Sequence, residues 1–490
     1  GCTMGWTENW LGWSAGPQMT SYLLAMLRAA CKDQPLGMYV IGAGEKPNQM
    51  RMKFLQAIAG GARTTCIYNY GPHYCSIDSW AERYELYPAI RDVLHELGTY
   101  DALLEGAKRR PGEVALLYNR TTDIWHKDSS HVREAEFLYD ALTQAQFEVE
   151  IVSEDDVAAG ELKRFKALYV AGDHIERRAA EAIARWVRDG GVLCGTNGAG
   201  LLDEYHQPLP TLNEVFGVAS SKNEFKKDAS RPLFELRGLK PLATAKPTEV
   251  CPLKNASLTA LSYLETLEPA PGAEVWLRYE DGKAAALANK AGKGLAVRFA
   301  TFPGLEYIHS ALNDEEYHKA DSPRWRFPVR CSAELRDLIA LAARRGAAKP
   351  IAQCSAPMVE LARWDGPKGA VLFVMNHAFE RQERVTLTIP DVPARARITA
   401  ASGASVQAKP TDGGLEVLLP LGLTEVLMLQ WHGQAGDAKN GTGTFLTGDG
   451  RVAQSRRGGL RRGASQRLAL LFGRRALPCT HLTSIKDRIQ

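Results

Sequence analysis

The 490-residue sequence has no run of about 18 apolar residues, so no segment reads as a membrane-spanning helix. Its nine cysteines form neither a CxxC pair nor a Cys/His ladder, which removes support for zinc ribbons and disulfide frameworks. Cys31, Cys66 and Cys194 lie in apolar segments and read as small buried hydrophobes. No residue type dominates: 45% of positions are hydrophobic and 24% charged, which excludes wholesale disorder, collagen and coiled coil. Charge of one sign is missing too. Lys and Arg number 60 against 56 Asp and Glu, but eleven of the basic and three of the acidic residues fall in 432–490. The body before that tail therefore holds 49 basic and 53 acidic residues, and a nucleic-acid-gripping surface is not indicated. The chain opens on Gly1-Cys2-Thr3 without an initiator Met, and strand-like residues begin at once. The expectation is a chain cut inside a fold, with its compartment left open.

The length predicts about three domains. Residues 1–108 repeat a strand-then-helix rhythm. Trp6-Thr7-Glu8-Asn9-Trp10 ends one strand, Ser21 to Arg28 is an amphipathic helix, and Gly37-Met38-Tyr39-Val40-Ile41 is a second strand. A helix from Met50 to Ala59 follows, then a strand from Thr64 to Tyr70 stopped by Gly71-Pro72. Apolar strands alternating with helices predict a parallel sheet with both faces covered, but three βα units cannot close a barrel, which needs about eight. A charged boundary, Lys108-Arg109-Arg110-Pro111-Gly112, opens residues 109–345. Strands at 114–118, 148–152, 167–171, 190–194 and 295–300, with helices at 131–145 and 177–189, predict a doubly wound, flavodoxin-like α/β domain. Residues 205–290 read as an insertion with short strands, including a hairpin at Asp281-Gly282. Residues 350–431 turn all-β and predict a small antiparallel sandwich. Residues 432–490 lose every period and read as a disordered or aberrant basic tail.

Gly195-Thr196-Asn197-Gly198-Ala199-Gly200 and Gly42-Ala43-Gly44 match neither a Walker nor a dinucleotide fingerprint. A nucleophile-elbow amidotransferase or peptidase has only Cys194 to offer, with no His-x-Glu pair near the last strand.

Met50-Arg51-Met52-Lys53-Phe54-Leu55-Gln56-Ala57-Ile58-Ala59-Gly60-Gly61-Ala62 resembles the last barrel helix of the glycoside hydrolase family 42 (GH42) β-galactosidases, and Ile67-Tyr68-Asn69-Tyr70-Gly71-Pro72 their last barrel strand. Trp186-Val187-Arg188-Asp189-Gly190-Gly191-Val192-Leu193, with 282–290 and Gly292-Lys293-Gly294, resembles their trimerisation domain. The likeness covers roughly residues 1–431 and is strongest from 50 to 305. Thr7-Glu8-Asn9-Trp10 is similar to the T-E-D-W word of other barrel hydrolases and departs from it at Asn9.

The resemblance implies the C-terminal part of a (β/α)8 barrel, then a glutamine-amidotransferase-like trimerisation domain, then a β-sandwich. It also implies a two-carboxylate glycosidase mechanism, a carbohydrate substrate and a homotrimer, with no cofactor, metal, nucleic acid or membrane involved. In that class the acid/base comes from the fourth strand and the nucleophile usually from the seventh. Counting back from the last strand makes Gly37 to Ile41 the seventh, so the acid/base strand is absent. Glu8, at a strand end beside Trp6, Trp10 and Trp13, and Glu45, four residues past Ile41, are the catalytic candidates. Tyr68, Asn69, Tyr70 and His73 are candidate sugar-pocket residues, each also readable as packing. A non-catalytic carbohydrate-associated oligomerisation module is the alternative.

Overall fold

The computed structural model describes residues 3–9, 18–42, 46–76, 79–128, 130–229, 233–313, 328–431, 444–446 and 452–454. Gly1–Gly433 form one compact unit and Gln434–Gln490 a second. Of the second, β24 (Thr444–Leu446) and β25 (Val452–Gln454) pair antiparallel, and the rest of the expected tail lies outside the described residues. No described helix is long and apolar enough to cross a membrane.

The first unit begins with three parallel strands, β1 (Gly5–Asn9), β2 (Leu36–Ile41) and β3 (Ala62–Tyr68), in that spatial order. Between them run α1 (Met19–Cys31) and α2 (Pro47–Ala59), and α3 (Leu86–Leu104) follows. Pro47 opens α2, where its missing N–H costs nothing. Met38 and Val40 on β2 pack with Met50, Phe54 and Leu55 of α2 and Val93 and Tyr100 of α3, all buried. The period-two alternation turns the other residues of these strands to the opposite face.

After a short β4 (Lys108–Arg109) comes an eleven-stranded sheet. Its parallel part consists of β5 (Val114–Tyr118), β6 (Val149–Ser153), β7 (Ala167–Val170), β8 (Val192–Gly195) and β15 (Gly294–Phe299). Their spatial order is β6-β5-β7-β8-β15, the flavodoxin-like arrangement, whose switch point lies between β5 and β7. Val114 and Leu116 face a core with α5 (Ser130–Gln144), α9 (Pro303–Leu312) and α10 (Ala333–Arg345). Ala115 and Leu117 face a second core with α7 (Arg177–Arg188) and α8 (Pro210–Phe216). Both faces being covered, these strands read as unbroken apolar runs.

The segment expected as an insertion supplies β9 (Val218–Phe225), β10 (Ala243–Pro247), β11 (Leu258–Ala260), β12 (Tyr263–Pro269), β13 (Glu274–Tyr279) and β14 (Ala284–Ala291). These extend the same sheet, since β14 pairs antiparallel with β15. β13 and β14 form the hairpin expected at Asp281-Gly282, with Gly282 at φ 85°. Cys194 is buried in β8, and burial pushes its thiol well above the ordinary range, so it is a core residue.

The last part holds β16 (Gln353–Cys354), β17 (Val359–Gly366), β18 (Gly369–Asn376), β19 (Gln382–Pro390), β20 (Arg397–Ala400), β21 (Gln407–Thr411), β22 (Gly414–Leu421) and β23 (Thr424–Gln430). They make sheets ordered β16-β19-β22-β21 and β20-β23-β18-β17-β4. Leu372, Val374, Leu387, Ile389, Val417 and Leu427 fill the space between the sheets. The outer face of the second sheet, with Trp364, Val371 and Phe373, packs on the α2/α3 core, and Trp364 Nε1 donates to Ala59 O at 3.0 Å. The sandwich thus backs the helices that hold β1–β3.

Candidate active site

On the three-stranded sheet, parallel pairing aligns Trp6 with Gly37, Glu8 with Tyr39, Tyr39 with Cys66, and Ile41 with Tyr68. Aligned residues of parallel strands share a face, so the register brings Trp6, Glu8, Tyr39 and Tyr68 together near the C-terminal strand ends. The rings form a row. Trp6 lies 5.0 Å from Tyr39, and Tyr39 lies 6.0 Å from Tyr68 in an edge-on arrangement. Gly37 makes the row possible: a Cβ there would sit 2.4 Å from the Trp6 indole.

This face is open. Trp6 is 38% and Tyr68 36% exposed, and Glu8 is exposed as well. Glu8 makes no hydrogen bond or ion pair with any described residue, and residues 10–17, which follow β1, lie outside the described residues. Cys66, expected to be buried, is exposed because it alternates with Thr64 and Tyr68 on the face away from the helices.

The loop after β3 contributes a second aromatic group. The strand ends at Tyr68, and Asn69 O accepts from Trp80 N at 3.2 Å. The Trp80 ring stacks edge-on against Tyr70 at 5.4 Å and packs on Gly42, where a Cβ would meet it at 2.8 Å. Trp80 is buried, and its Nε1 has no partner among the described residues. Tyr87 lies 5.5 Å from Trp80 and donates its hydroxyl to Ala81 O; desolvation and the Tyr70 hydroxyl push it up to about 12. His73 is exposed, and its backbone N–H donates to Glu82 at 3.0 Å.

The register therefore unites three of the residues singled out from the sequence, Trp6, Glu8 and Tyr68. Asn69 and Tyr70 belong to the neighbouring Trp80 group, while His73 stands in the exposed loop beyond. Glu45 and Trp10 lie outside the described residues. Tyr39 and Trp80 were not singled out. Tyr39 was legible from alternation, two positions after Gly37, whereas nothing local marks Trp80 as the ring on which that loop closes.

Chemically, an exposed carboxylate at the C-terminal end of a parallel strand, among exposed rings, matches the composition of sites that stack sugar faces and act on their bonds. The β-galactosidase from Bacillus circulans sp. alkalophilus superposes on 86% of this chain with a TM-score of 0.61 at 18% identity. The fold is GH42-like. The GH42 β-galactosidase Gan42B from G. stearothermophilus matches 85% of the chain with a TM-score of 0.55 at 15% identity. The cold-adapted β-galactosidase from Rahnella sp. R3 matches 84% with a TM-score of 0.57 at 15% identity. The chain spans 60% of the length of the first of these and 57% of each of the other two. No protein-family model and no curated protein matches the sequence.

Proposed function

We propose that this chain carries the C-terminal part of a β-galactosidase-type glycoside hydrolase, in which β1–β3 are the last three strands of a (β/α)8 barrel. The observation that carries the reading is Glu8, exposed at a strand end, without a partner among the described residues, on the same face as Trp6, Tyr39 and Tyr68. Glycoside hydrolysis needs two carboxyl groups about 5 to 5.5 Å apart for retention, or further apart for inversion. Glu8 and Glu45 are alternative candidates for the one member that this chain supplies. The family's acid/base strand has no counterpart in it, so the chain alone binds sugar without cleaving it.

In the same reading the α/β part self-associates, as the resemblance to a trimerisation domain implies. Exposed Ile124, Trp125, Tyr205 and Phe225 in that part favour it. The same residues favour the second reading, a carbohydrate-associated assembly module without catalysis of its own. Sedimentation velocity of the full chain at tens of micromolar is expected to show a trimer, and a monomer at that concentration removes the assembly part of the proposal.

The test of the sugar site is a fluorescence titration with galactose. Saturable quenching is expected, weakened at least fivefold by Tyr39→Ala and by Trp6→Ala. No saturable change with galactose, or an unchanged response in both variants, rejects the site.

A further inference from the structure

A second cluster stands at the C-terminal edge of the α/β sheet, where loops leave β5, β7 and β8. The first loop passes through α4 (Arg120–Trp125) to His126, Asp128 and His131. The loop after β7 carries Asp173 and His174, and the one after β8 carries His206. β5 and β7 flank the switch point of the sheet, the crevice where open α/β sheets bind ligands.

Asp173 Oδ1 is the hub. It lies 2.6 Å from His126 Nε2 and 2.7 Å from His174 Nδ1, and the three ligand-type atoms are all within 4.8 Å of one another. The side chains are 18%, 13% and 2% exposed for His126, Asp173 and His174, enough for an ion to enter. The outer nitrogens are already oriented. His126 Nδ1 meets Asp128 at 3.0 Å, and Asp128 is itself held by Ser130 N–H and the Tyr263 hydroxyl. His174 Nε2 meets His206 Nδ1 at 2.7 Å, and the Trp125 ring stacks on His174 at 5.4 Å. Carboxylates and other acceptors behind metal-binding imidazoles fix ring orientation in just this manner.

An independent observation comes from His131. It is buried, both ring nitrogens lack a hydrogen-bond partner among the described residues, and its ring lies 4.8 Å from that of His126. Burying an imidazole without partners is costly unless something at the site engages it.

We propose that His126 Nε2, Asp173 and His174 Nδ1 bind one divalent transition-metal ion of the Zn2+ type, with water in the open position and His131 beside it. Two imidazoles and a carboxylate suit such an ion, whereas Mg2+ and Ca2+ take mainly oxygen ligands. Metal–ligand bonds of about 2.0 to 2.1 Å put the ligand atoms of a tetrahedral site roughly 3.3 Å apart. The two Asp173 contacts therefore open by less than about 1 Å, while the two imidazole nitrogens, now within 4.8 Å of each other, settle to that spacing. The protons bridging those contacts leave to solvent as the ion enters. From the sequence the set was invisible, because 47 positions separate its first two members.

The full chain, stripped with EDTA and desalted, is titrated with Co2+ and, separately, with Zn2+ at pH 7.5. One equivalent is expected to bind, with visible Co2+ bands of nitrogen ligation and displacement of Co2+ by Zn2+. His126→Ala and His174→Ala are expected to weaken binding at least tenfold, while His95→Gln, at an exposed position on α3, leaves it unchanged. Circular dichroism of the metal-free variants reports whether they fold. If an alanine variant does not, imidazole nitrogen NMR of the unaltered chain decides: ring nitrogens of two histidines shift on Zn2+ addition. Absence of metal uptake, absence of those shifts, or undiminished binding by the folded His126→Ala/His174→Ala chain overturns the proposal and leaves the cluster a hydrogen-bonded network.

Discussion

The two parallel sheets of this chain are written in the same strand-and-helix rhythm, yet they live in different surroundings. In the α/β sheet, Val114 and Leu116 enter one core while Ala115 and Leu117 enter the other. In the three-stranded sheet Met38 and Val40 meet helices, while on the other face Trp6, Cys66 and Tyr68 are exposed among the described residues, with Ile41 buried beside them. The difference shows where each sheet can do chemistry. A sheet covered on both faces has its strand ends to offer, and there the His126–Asp173–His174 cluster sits. A sheet with an open face offers the face itself, and there the Glu8 carboxylate sits among rings.

The comparison is sharpened first at the largest expected effect. Arg298 on β15 and Glu265 on β12 are both fully buried and meet at 2.7 Å. Glu265→Ala leaves the guanidinium buried without its counter-charge, and a loss of about 3 to 5 kcal/mol is expected in urea unfolding. A loss below about 1 kcal/mol would mean that water reaches this side of the sheet.

Next comes a matched pair. Leu168→Ala, at a fully buried position on β7, is expected to cost about 2 to 5 kcal/mol. Trp6→Ala removes a larger side chain, but from the open face, where it forfeits chiefly its contact with Tyr39 and costs about 1 kcal/mol. Equal losses in the two variants would show that the β1–β3 face is covered in solution.

A further effect is read in pH. Glu134 on α5 is buried and accepts from the Gly304 and Leu305 N–H groups at the start of α9. Burial outweighs those bonds and raises its carboxyl to about 8. In the unfolded chain the group releases its proton near 4.5, while the fold keeps it, so its contribution to stability falls as pH rises from about 4.5 to about 8. Glu134→Gln is expected to remove that part of the decline, measured as the difference between the two chains' unfolding midpoints across pH 4 to 9. A difference that stays flat over this window would mean that Glu134 is ionised in the fold.

Much of this architecture was legible before any coordinates. Unbroken apolar strands such as Val114 to Leu117 announced a sheet buried on both faces, and the turn residues Asp281-Gly282 announced a hairpin. The same reasoning expected β1–β3 to be covered on both faces as well, which the exposed Trp6, Cys66 and Tyr68 contradict, and Cys66 was misjudged for that reason. The extension of the sheet by β9–β14 was also hidden, because antiparallel pairing with β15 is a long-range contact that leaves no local period. At the candidate site, Trp6, Glu8 and Tyr68 stood out as strand-end residues. Their union through Tyr39 depends on register, and the loop that seats Trp80 on Gly42 depends on packing.

The central claim is that β1–β3 present a glycosidase-type sugar face with an incomplete carboxylate pair. Hydrolysis of p-nitrophenyl β-galactoside by the purified full chain, measured beside its Glu8→Gln variant, tests it most directly. The account predicts that neither protein exceeds the rate in buffer at any substrate concentration. Saturable turnover by the unaltered chain that disappears in Glu8→Gln would contradict it, since the chain would then hold both carboxylates of a working site.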